Sequence, residues 1–107
     1  MISIDTLKNI EIRIGTVLLA ERVPDTDKLL RLEVDLGEEK PRQIVSGIAV
    51  YTEPEAVVRR QLAFVTNLEP RTIRGLESNG MLFAVGSAET FSFLVPDRPV
   101  PPGTKAG

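Results

Sequence analysis

The chain has no cysteine, no histidine and no tryptophan, and its aromatic residues amount to 5%. Missing cysteine excludes disulfide frameworks and thiolate sites for zinc or iron–sulfur clusters. Missing histidine removes the usual general base and the commonest metal ligand, so an enzyme would have to work with carboxylates alone. The shortage of aromatics disfavours the stacking platforms by which proteins hold arbitrary single strands of nucleic acid. No apolar run approaches the roughly 20 residues that cross a bilayer, and the opening MISIDTLKN lacks the basic and apolar regions of a signal peptide. A cytoplasmic protein without membrane attachment is expected. Positive charge is scarce too: with a net charge of −2 and a pI near 5.2, the chain lacks the basic balance by which non-specific duplex binders release counterions. Any nucleic-acid site must be local.

What is present fits one folded unit. Hydrophobic residues at 42% and charged residues at 26% are ordinary for a globular domain, and 107 residues suffice for one core. A single domain over residues 1–107 is expected, with no repeat or low-complexity segment.

Alternation of apolar and polar residues marks the strands. In IRIGTVLLAE, residues 12–21, Ile12 and Ile14 lead one phase, Gly15 interrupts, and Val17 and Leu19 resume on the other, so a bulge or bend is expected at the glycine. VPDTDK, residues 23–28, is a turn rich in Pro and Asp. Leu30, Leu32, Val34 and Leu36 then alternate with Arg31, Glu33 and Asp35, the signature of a half-buried strand. A third strand spans residues 43–48. Thr52 stands three residues before Glu55, with Pro54 between, which predicts a capping box opening a short helix. Residues 62–68 and 81–85 give the fourth and fifth strands. The proline-rich PDRPVPPGTK that follows predicts a covering tail. An all-β fold follows: a five-stranded barrel of the oligonucleotide/oligosaccharide-binding (OB-fold) style, or a sandwich, with one short helix between strands 3 and 4 and extensions at both termini.

In such a barrel, ligands are held by the face of the second and third strands and by the first and fourth connections. Those connections are VPDTDK and EPRTIRGLESNG, the most unusual polar segments of the chain. Arg71 and Arg74 offer forked donors to phosphate, Lys28 a point charge, Ser78 and Asn79 short hydrogen-bonding groups. Gly75 and Gly80 admit positive φ or close backbone approach. The plainer reading is a solvated hairpin. Met81 reads either as a core residue opening the fifth strand or as a ligand contact, and Tyr51 either as a stacking group or as packing beside the helix. The scattered carboxylates lack the spacing of a calcium loop.

The pieces IEIRIGTVLLAE, DKLLRLEVDLGEE, RQIVSGI, YTEPE and NLEPRTIRGLESNGM, at their spacing over residues 10–85, resemble the tRNA-binding domain found at the C-terminus of many bacterial methionyl-tRNA synthetases. The same domain occurs in a stand-alone structure-specific tRNA-binding protein and in synthetase-associated cofactors. The resemblance implies the barrel, a homodimer when the domain stands alone, tRNA as partner, a synthetase as a further partner, and neither catalysis nor cofactor. The family's S-x-G-M stretch places RNA-binding roles on Ser78 and Met81. Asn67, Arg74 and Lys28 match other polar motif positions, and with Arg71 they form one expected RNA-binding patch. Thr72 stands where many relatives have Lys, and Val23 where they have His. CsaA export-related chaperones form a neighbouring branch with a similar ending, and peptide binding is the alternative function. Ile4, Leu7 and residues 91–94 are the expected dimer surface.

Overall fold

A computed structural model describes residues 1–107. Its strands are β1 (Ile12–Arg22), β2 (Leu30–Asp35), β3 (Arg42–Ser46), β4 (Gln61–Val65), β5 (Arg71–Ile73), β6 (Leu76–Ser78), β7 (Met81–Leu82), β8 (Ala84–Val85) and β9 (Ser92–Phe93). Five of them form one antiparallel sheet in the order β3-β2-β1-β4-β7, while β5–β6 and β8–β9 are separate two-stranded ribbons. The sheet curls until β3 meets β6 and the residues entering β7, giving the nearly closed barrel of the OB-fold class. No helix is long and apolar enough to cross a membrane.

The alternation in β2 is realised as read: Leu30, Leu32 and Val34 are buried between half-exposed Arg31, Glu33 and Asp35. With Val17, Leu36, Ile44, Leu62 and Phe64 they fill the barrel. The irregularity in β1 lies elsewhere than expected. Register slips between Val17 and Leu19, so exposed Leu18 is the extra residue. Gly15 serves close packing instead: a Cβ there would stand 2.5 Å from Val34 Cγ1 and 2.9 Å from Leu36 Cδ2.

Three other expectations are corrected. Between β3 and β4 the chain makes only a 3₁₀ turn, Pro54–Ala56, without a side-chain cap; the Thr52 hydroxyl donates to the Glu53 carbonyl rather than closing a capping box. Val57 enters the core directly after that turn and Arg59 takes a left-handed φ of 72°, which ends any helix. The one α-helix, α1 (Ile4–Leu7), sits at the N-terminus, where the Ser3 side chain accepts from the Thr6 amide. The fifth strand breaks at Phe83, so that β7 pairs with β4 and β8 with β9.

The proline-rich tail does cover the barrel. It runs along the edge of β1 that β2 leaves open, with Gly103 N donating to Ile14 O (2.7 Å), Ile14 N to Thr104 O (2.9 Å) and Ala106 N to Ile12 O (2.8 Å). Beside it the Glu11 carboxylate accepts from Thr66 Oγ1 (2.7 Å) and Arg13 Nε (2.9 Å), with Lys105 Nζ at 3.6 Å. The Thr66 hydrogen bond, reinforced by Arg13, holds the Glu11 pKa down at about 2. That carboxylate ties β1 to the end of β4 and to the tail.

Candidate nucleic-acid interface

The connection from β4 to β7 is a structured finger. Its stem pairs Arg71 with Ser78, Thr72 with Glu77 and Ile73 with Leu76. Arg74 and Gly75 turn it with φ of 51° and 79°, the positive values a tight hairpin needs. A left-handed arginine costs about 1 kcal/mol relative to glycine, and the position throws a guanidinium off the tip into solvent.

The finger's arginines take no part in the fold's ion pairs. Arg13, Arg22, Arg31 and Arg42 each meet a glutamate, whereas Arg71 and Arg74 meet no carboxylate. Exposed Lys28 is likewise unpaired, at the end of the first loop, where its carbonyl accepts from Ala49 N (2.9 Å). The face of β2 and β3, expected to share in binding, is committed to itself. Arg31 donates to Glu21 (2.7 Å), Glu33 (3.0 Å) and Gln43 (3.1 Å), and the Glu21 bond above all raises its pKa. Glu21, Glu33 and Asp35 outnumber that one arginine, so this face carries net negative charge.

At the root of the finger lies a cleft of about 680 Å³, lined by Lys40, Arg42, Gln43, Thr66, Leu68 and Glu77 among others. Arg42 is already spent on structure. It grips both oxygens of Glu38 (2.9 and 2.7 Å) and donates to the Thr66 and Asn79 carbonyls (2.6 and 3.3 Å). The Arg42 hydrogen bond holds the Glu38 carboxyl below its usual range. Lys40 and Glu77 are the unpaired charges of this cleft, of opposite sign.

The residues singled out from sequence divide into two groups. Lys28, Arg71, Arg74 and Met81 are exposed; Met81, at 37% accessibility, is outside the core and follows the finger where β7 begins. Buried Ser78 and exposed Asn67 have their side chains engaged within the fold. Ser78 is 1% exposed; its hydroxyl accepts from Val45 N (3.0 Å) and donates to Gly80 O (3.1 Å), so its hydrogen-bonding groups are used within the fold. Asn67 spans the N-terminal segment, accepting from Glu11 N (2.9 Å) and donating to Asn9 O (2.7 Å). The burial of Ser78 had a sequence signal: it shares a face with Ile73 and Leu76, both half-buried. Val23 is buried at 6%, which leaves its side chain little surface to offer a ligand. The Tyr51 ring stacks on Phe91 at 4.1 Å, which favours its packing role. No three carboxylates gather into a metal-holding group.

Residues 12–105 match the family described as "Putative tRNA binding domain". The methionine–tRNA ligase of Methanocorpusculum labreanum is 54% identical over 98% of this chain, and that of Thermotoga maritima 47% identical over 97%. The chain spans only 15% and 16% of the length of these relatives. Among solved structures, a methionyl-tRNA synthetase-related protein from Pyrococcus horikoshii superposes with a TM-score of 0.92 at 31% identity, covering 100% of this chain and 98% of that one. The chaperone CsaA of Bacillus anthracis superposes at 0.88 with 30% identity, covering 100% and 99%. With its finger, its barrel and nearly its whole length accounted for in this way, the chain belongs to the tRNA-binding domain family.

Proposed function

We propose that the chain is a non-catalytic module that grips tRNA by shape, with Lys28, Arg71, Arg74 and Met81 making contact while Ser78 holds the finger and Asn67 the N-terminal segment in place. The observation that carries this is the set of unpaired arginines on a projecting hairpin of a chain whose net charge is −2. Folded RNA is recognised largely through phosphates, 2′-hydroxyls and shape, which suits a small local patch on an acidic barrel. Methionyl-tRNA synthetase is the partner the relatives favour, and a cytoplasmic site of action goes with it.

Dimerisation belongs to the same reading, through exposed Ile2, Ile4 and Leu7 at the N-terminus. Residues 91–94 contribute less than expected, because Phe91 and Phe93 turn inward against the core. Two patches on one particle raise effective affinity without new contacts. Peptide binding, the second reading, draws on the CsaA likeness and on exposed Met81, Phe83 and Val85.

Anisotropy titrations of folded tRNA and of an RNA hairpin of similar length, at about 50 and 200 mM salt, separate the two. Tighter binding to tRNA, eroding with salt, is expected. Equal or absent binding to both RNAs, with salt-insensitive capture of unfolded peptides, would establish the chaperone reading instead.

A further inference from the structure

The arginines without carboxylate partners that lie outside the finger are Arg59, Arg60 and Arg98, and all three line one cleft. It measures about 520 Å³ and sits where the start of β4 meets the tail, with Thr16, Gln61 and Asp97 also in its wall. Asp97 is its only carboxylate.

The cleft is held in shape from both sides. Gln61 clamps the tail by donating from Nε2 to Val100 O (2.7 Å) and accepting from Val100 N at Oε1 (3.0 Å), while the same Nε2 reaches Thr16 Oγ1 (3.1 Å). The backbone of the opposite wall is pinned to β1, with Arg59 N donating to Val17 O (2.7 Å) and Val17 N to Arg60 O (3.0 Å). The Arg60 guanidinium lies over the Phe93 ring, 5.1 Å from its centroid. Arg59 occupies left-handed backbone at φ 72°, a conformation that glycine adopts freely, as Arg74 does at the finger tip.

We infer that this cleft is a second phosphate-binding site, taking the RNA backbone at the end of β4 opposite the finger, so that one folded RNA touches both. This rests on the tRNA reading above. Guanidinium forks suit phosphate oxygens. The length of β4, roughly 13 Å at about 3.3 Å per residue, separates the two anchors before the finger begins. Two anchors at a fixed separation read the fold of an RNA more sharply than one patch does.

The test compares wild-type chain, Arg71→Gln/Arg74→Gln and Arg59→Gly/Arg98→Gln for tRNA affinity across salt. Arg59→Gly relaxes the left-handed backbone, so the cleft variant is expected to melt no lower than wild type while binding tRNA about five- to tenfold more weakly, with a salt slope smaller by about 2. Arg98→Gln alone, on a side chain with no hydrogen bond within the fold, should lower the slope by about 1. If the finger variant weakens binding and both cleft variants bind like wild type, the second site is wrong and the tRNA reading stands. If the wild-type chain does not bind tRNA, both fall together.

Discussion

The Ser78 hydroxyl accepts a hydrogen bond from the Val45 amide at 3.0 Å, and this contact joins the finger to β3 where the barrel closes. Around it, Asn79 N donates to Gln43 O (2.8 Å) and Gln43 Nε2 to Glu77 O (2.9 Å). The same contacts that close the barrel thereby fix the direction in which the finger bearing Arg71 and Arg74 projects.

Ser78→Ala should therefore act on stability before it acts on RNA. It leaves the buried Val45 amide without an acceptor, a loss of about 1–3 kcal/mol. Urea unfolding should show a lower midpoint with unchanged slope, and the protein that remains folded should still bind tRNA. A direct RNA contact by Ser78 predicts the reverse pattern, intact stability with weakened binding.

Arg71→Gln/Arg74→Gln should weaken tRNA binding and lower the salt slope by about 2 without moving the melting curve, because neither side chain has a partner within the fold. A shifted melting curve would give these arginines a structural role.

Gly15→Ala should destabilise by about 1–3 kcal/mol through overpacking, since its Cβ would press on Val34 and Leu36. Thermal melting checks this, and an unaltered midpoint would mean that the core yields at that point.

Acid should loosen the junction of β1, β4 and the tail. The Glu11 pKa is depressed from 4.5 to about 2, so its contribution is complete above the unfolded value and disappears as pH falls through the folded one. Between those values the urea midpoint of the wild type should fall more steeply than that of Glu11→Gln. Parallel curves would contradict the Thr66 and Arg13 contacts as the source of that stability.

Much of the barrel was legible because burial on one face imposes a period of two, as in residues 30–36, and because turns concentrate Gly, Pro and Asp. The finger was read as a decorated connection rather than as a hairpin of its own, since its three-residue strands are too short to show a period. Ser78 looked like a ligand group because it stands in a polar loop, where the face it shares with Ile73 and Leu76 is too short a pattern to outweigh the hydroxyl. The Thr52–Glu55 spacing promised a helix, but Val57 is claimed by the core one turn later, and tertiary packing overrode the local signal. At Gly15 the residue was informative while its meaning was misassigned: the glycine admits β2 and β4 side chains, and the bulge fell on Leu18.

The finger and the first loop are the proposed meeting point with RNA. The direct measurement is a heteronuclear NMR titration of labelled chain with folded tRNA, following backbone amides and the Met81 methyl. Perturbations centred on residues 71–81 and Lys28, sparing the β2–β3 face around Arg31 and Glu33, are the predicted result. Saturable binding that leaves the finger unshifted and perturbs the β2–β3 face would contradict it.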